Sequence, residues 1–152
     1  MRIRSAVALL ICLVVPHWAR AQVTVEKPWI RATAPGQTVA AGYLEIRSER
    51  AAMLVGASSP AAKRSEIHEM IMEQGVMKMR AVPSLPLPAG KTVELKPGGY
   101  HIMLVDIAKP LRSGEVVPIS LVIETGKGQR QVVDIRAAVR EITAQAEHSG
   151  RH

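Results

Sequence analysis

Tyr100-His101-Ile102-Met103-Leu104-Val105 alternates in the way a half-buried strand does. Successive side chains on a strand point to opposite faces, so Ile102 and Leu104 go to one side while His101 and Met103 share the other. Short runs of the same kind recur on both sides of this segment. Val23 to Arg31, Ala40 to Arg47, Met53 to Ser58, Ser65 to Met72, Val76 to Val82, Lys91 to Leu95, Tyr100 to Ile107, Val116 to Glu124 and Gln131 to Val139 are rich in Val, Ile, Leu and Met. Turn formers separate them at Ala34-Pro35-Gly36, Ser58-Ser59-Pro60, Pro97-Gly98-Gly99, Ser113-Gly114 and Thr125-Gly126-Lys127-Gly128, and Pro83 to Gly90, with its three prolines, reads as an irregular loop. No segment keeps a long period of 3.6 residues. The pattern predicts an all-β, single-domain Greek-key β-sandwich, cupredoxin-like or immunoglobulin-like.

The ends of the chain carry other signals. Arg2 and Arg4 precede an apolar run from Ala6 to Val15, and Ala19-Arg20-Ala21 puts small residues where a signal peptidase reads, so residues 1–21 are expected to be a cleaved signal peptide. Removing those 21 of 152 residues leaves 131, enough for one core. Arg2, Arg4 and Arg20 leave with the signal, so 20 basic residues fall to 17 against 13 acidic, a net +4. That modest charge, with 2 Trp, 2 Tyr and no Phe to stack on bases, argues against nucleic acid as a partner. The apolar run is too short for a span of about 20 residues, so no membrane insertion is expected. The last ten residues, 143–152, lack apolar periodicity and are expected to be a disordered tail, with His148 and His152 solvated in it. Residues 22–142 are then the folded domain.

The single cysteine, Cys12, lies in the expected signal, after an Ile11 that is larger than the residue a lipid-attachment site prefers. A mature chain without cysteine has no disulfide, no thiolate nucleophile and no Cys-ligated metal centre. Its sulfur is methionine, and Met70, Met72, Met77 and Met79 fall within ten residues. Strand alternation in Ile67-His68-Glu69-Met70-Ile71-Met72 gives His68, Met70 and Met72 one face. Ile67 and Ile71 take the other, where Glu69 is out of place unless the strand is at an edge or near its end. A neutral, polarizable thioether suits Cu(I) and suits hard or borderline ions poorly, while imidazole accepts copper in either oxidation state. Cu(I) is therefore the natural guest of such a set. Met53 lies in a run that resembles core and is read as structural, whereas Met70, Met72 and Met77 are candidate secondary metal contacts or an apolar rim.

Hydrolysis is a weaker alternative. His68 or His101 with Asp106 or Asp134, and Ser113 or Ser120 as nucleophile, supply the residue types, but the sequence has no Gly-x-Ser-x-Gly elbow to present a serine. A plain adhesion or assembly module with an apolar methionine surface is a further alternative.

His68, ten residues, Met79, twenty-one residues, then His101-x-Met103 resembles the pattern His-x10-Met-x21-His-x-Met of the periplasmic copper chaperones called PCu(A)C. Pro28 to Gly36, Ala40 to Leu44, Gly75 to Arg80 and Leu95 to Leu104 look like the flanks of that family, and the resemblance runs from about Val23 to Val139. It implies a cupredoxin-like β-sandwich, not an enzyme, that binds Cu(I) through His68, Met79, His101 and Met103. It also implies delivery to the CuA-bearing subunit of cytochrome c oxidase, alongside Sco-type proteins, with a copper-storage or interaction module lacking a delivery role as the alternative. Two departures stand out. Glu69 follows the first histidine where many relatives have Met, and the tail has two histidines and no Met where some relatives carry longer Cu(II)-binding tails.

Overall fold

The computed structural model describes residues 22–141; the expected signal peptide and the tail, with His148 and His152, lie outside them. Ten strands follow in order: β1 (Val23–Arg31), β2 (Val39–Ser48), β3 (Ala52–Ser58), β4 (Ala62–Glu73), β5 (Val76–Val82), β6 (Leu85–Leu87), β7 (Thr92–Leu95), β8 (His101–Ile107), β9 (Val116–Thr125) and β10 (Gln129–Arg140). One 3-10 turn, Gly126–Gly128, joins the last two. Among the described residues no helix is long and apolar enough to cross a membrane.

The strands pair in the order β5-β4-β8-β2-β1-β10-β9-β3-β6, with β7 on the second half of β2. The β1–β10 pair is parallel and joins two otherwise antiparallel halves. Both halves point their apolar faces at one core: Leu44, Ile46, Ile67, Ile102 and Leu104 come from one side, and Leu54, Leu85, Leu87, Ile119, Leu121 and Ile123 from the other. This is a β-sandwich, and the chain crosses between its layers on the way from β2 to β3, β3 to β4, β5 to β6, β6 to β7 and β8 to β9.

Two local devices place the side chains that matter later. Between Glu26 and Trp29 the β1–β2 register slips by one residue, with Lys27 at φ 50°. Such a bulge reverses the alternation, so that Val25, paired with the buried Ile46, faces the core while Trp29, paired with Tyr43, faces outward. At the other device, Gln74 and Gly75 connect β4 to β5 with φ of 51° and 79°. Two central residues at positive φ make the mirror-image hairpin turn that suits strand twist and pins the register.

Two expectations need correction. Pro83 to Gly90 is not wholly irregular, because Leu85 and Leu87 are buried and pair with β3. Pro86 between them is tolerated because β6 is an edge strand, where a missing N–H costs no ladder bond. Met53 is not core: its neighbours Ala52 and Leu54 are buried, and Met53 turns to the opposite face, between Pro86 and Glu124.

Candidate metal centre

Register alone brings the chemistry-bearing residues onto one outer face. Directly opposed residues in adjacent strands share a face. His68 is opposite His101, Met70 opposite Met79, and Met72 opposite Met77. Met103 lies opposite Glu66 on one side and Ala41 on the other. The core takes the alternate positions, Ile67, Ile102 and Leu104.

His101 is buried (4% exposed), and its ring is 5.7 Å from that of His68, centre to centre. Its Nδ1 is 3.1 Å from the Gly99 carbonyl. A carbonyl only accepts, so Nδ1 carries the proton and Nε2 keeps its lone pair. That Nε2 lies 3.3 Å from Met79 Sδ. Two donors of one tetrahedral ion, at about 2.0 Å for nitrogen and about 2.3 Å for sulfur, would stand roughly 3.5 Å apart, so this pair is spaced to share a metal. Burial pushes the His101 imidazole below its ordinary pKa, outweighing the hydrogen bond to Gly99 that raises it, and so favours the neutral form that ligates.

His68 is arranged the same way. Its Nε2 donates to Glu66 Oε2 at 2.8 Å, and the bond holds the Glu66 carboxyl below the usual range. In the neutral ring Nδ1 is then the unprotonated nitrogen, and it is buried without a hydrogen-bond partner among the described residues. Orienting one ring nitrogen on a carboxylate or carbonyl while the other stays free is how proteins present histidine to a metal. An orphaned buried acceptor would otherwise cost stability.

Aromatic rings wall the site on the β2 side. Tyr43 is 6.3 Å from His101 and stacks at 4.5 Å on Trp29, between ring centres. A cleft of about 450 Å³, lined by Arg31, Thr33, Gln37, Tyr43 and Met103, opens beside it. Met79 is half exposed at 49%. The centre is therefore deep at His101 and open at Met79 and Met103.

Glu69, awkward in the sequence, is explained by where β8 begins. β4 is an interior strand through His68, and beyond it Glu69 to Glu73 pair with β5. On this overhanging hairpin Glu69 meets Arg80 at 2.6 Å. Glu66, Gly99, Tyr43 and Trp29 were not singled out in the sequence. Glu66-x-His68 could have been, since a spacing of two on a strand puts both on one face.

Among the described residues, neither His68 nor His101 is hydrogen-bonded to a serine or an aspartate, as the hydrolytic alternative requires. His68 bonds Glu66, and His101 bonds Gly99 and Met79, while Ser120 donates to Asp134 on β9 and β10 with no histidine between them. Among the described residues no three of His, Cys, Asp and Glu gather as a metal site. Any soft-metal site here depends on thioethers.

Residues 23–135 match the family model described as "Putative lipoprotein LpqE-like". A protein of Leifsonia xyli subsp. xyli (strain CTCB07), described as "Putative lipoprotein Lxx21020", is 34% identical over 115 residues, which are 75% of this chain and 69% of that protein. Among solved structures, the copper-bound PCuAC domain from PmoF2 is similar with a TM-score of 0.62 and 27% identity, over 82% of this chain and 100% of that domain. The solution structure of CuI-DR1885 from Deinococcus radiodurans is similar with a TM-score of 0.59 and 30% identity, over 81% of this chain and 82% of that one.

Proposed function

The chain belongs to the LpqE-like family and is similar in structure to the copper-bound PCuAC domain from PmoF2 and to CuI-DR1885, and from that premise we propose that it is a periplasmic Cu(I) carrier. It holds the ion through His68, Met79, His101 and Met103 and delivers it to the CuA centre of cytochrome c oxidase, with Sco-type proteins as co-workers. The observation that carries the reading is the approach of His101 Nε2 to Met79 Sδ, with each histidine's other nitrogen already engaged. Soft thioethers select Cu(I), and neutral imidazoles complete the set without adding charge. The lipoprotein descriptions of the relatives support an envelope setting. A cleaved signal at residues 1–21 ahead of a domain at 22–142 is our version of it.

The chain's own residues would work by holding and releasing, with no bond made or broken in a substrate. Buried His101 anchors, and the open Met79 and Met103 are the ligands an incoming partner would displace first. X-ray absorption on the Cu(I)-loaded protein should show mixed sulfur and nitrogen ligation. A spectrum fitted by nitrogen and oxygen alone would overturn the proposal.

Glu66 orients His68, so Glu66→Ala should weaken Cu(I) retention by about 10–100-fold, the usual effect of losing an outer-shell partner. Folding should change little, because the carboxylate is partly exposed and its other partner, Arg64, is a surface one. Competition with a Cu(I) chelator checks this, and an unchanged affinity would mean that Glu66 does not hold the ring.

A further inference from the structure

The β4–β5 hairpin has two unlike faces. Glu69 and Glu73 lie on one, ion-paired to Arg80 and Lys78 at 2.6 Å each. The other carries Met70 opposite Met79 and Met72 opposite Met77, so each outward position beyond His68 is a thioether. Met72 and Met77 are 62% and 45% exposed and are not core filler. Strand propensity does not explain them either, since an exposed hairpin favours β-branched and aromatic residues.

We propose that Met72 and Met77, with Met70 beside them, form a second, outer Cu(I) site that exchanges copper with the inner one through Met79. Cβ atoms of directly opposed residues stand about 4.5–5.5 Å apart. Each thioether has three rotatable bonds, so the two sulfurs can close on one soft ion. The Gln74-Gly75 turn fixes the register that puts them opposite. The nearby carboxylates are on the other face and held by cations, so the outer site offers sulfur alone and excludes Zn(II) and Cu(II). Lacking imidazole, it fills after the inner site. Met79 is the shared rung, opposite Met70 in the hairpin and 3.3 Å from His101 Nε2. Copper stays Cu(I) throughout and no proton moves, because thioethers are neutral. The inference rests on the carrier reading for the identity of the cargo and for the inner ligand set to which Met79 belongs.

The test is a titration of the full protein, carrying 13C-methyl methionine, with Ag(I) as an air-stable stand-in for Cu(I), repeated with Cu(I) under argon. The first equivalent should move the methyl signals of Met79 and Met103, and the second those of Met72 and Met77, with Met53 still. The Met72→Leu, Met77→Leu double variant should lose the second equivalent and keep the first. Silent Met72 and Met77 signals at two equivalents would overturn the outer site and leave an apolar contact face. Equal movement of Met53, or an undiminished second equivalent in the double variant, would overturn it as unspecific thioether binding. A first equivalent that misses Met79 and Met103 would instead sink the inner ligand set, while Met72 and Met77 would still judge the outer one.

Discussion

Met79→Leu should keep its fold and lose most of its Cu(I). The side chain is half exposed on the outer face of the edge strand β5, and Leu is close to Met in volume, so the stability cost should stay below about 1.5 kcal/mol. Copper retention should fall by more than the 10–100-fold typical of an outer-shell change, because the sulfur spaced to share the ion with His101 is gone. Met103→Leu should behave alike, since Met103 turns away from a core that takes Ile102 and Leu104. Met53→Leu should change neither quantity: Met53 is half-buried on β3 between Pro86 and Glu124, in the other layer of the sandwich. Thermal unfolding and chelator competition on all three variants are the measurements. Parallel losses of stability and copper in Met79→Leu would make that side chain a packing residue and remove it from the metal site.

Alternation was a sound guide in β8, which puts Ile102 and Leu104 inward, and the turn formers around β1 and β5 marked where those strands begin and end. It failed where two rules competed. Three prolines masked the short edge strand β6, whose Leu85 and Leu87 obey the alternation that the prolines seemed to forbid. In β3 an apolar run suggested that Met53 was core, although parity alone sends it outward beside buried Ala52 and Leu54. The bulge at Lys27 that turns Trp29 toward Tyr43 is a backbone irregularity with no periodic signature. Sheet order could not be read, because the β1–β10 pairing joins residues more than a hundred positions apart. The hairpin lay nearer the surface of the sequence: Gln74-Gly75 between two methionine runs is a two-residue turn, and it dictates which methionines meet.

Cu(I) should flow from this protein to a reduced acceptor with two thiolates, without an energy source. A thiolate is soft and anionic, whereas the donors gathered here, two thioethers and two imidazoles, are neutral. The gradient is therefore set by ligand charge. Kinetic access is set by burial: Met79 is half exposed and Met103 borders the cleft, so an acceptor sulfur can enter before buried His101 lets go. Mixing Cu(I)-loaded protein with one equivalent of reduced apo-CuA domain, separating the two and measuring metal in each should find copper on the acceptor. His101→Ala should reduce the amount carried, because it removes the nitrogen that faces Met79 and the most deeply buried of the four ligands. Its fold should be checked alongside, since the ring is buried and its removal leaves a cavity. Copper that stays on this protein while the acceptor remains reduced and empty would reject delivery to thiolate sites and leave storage as the role.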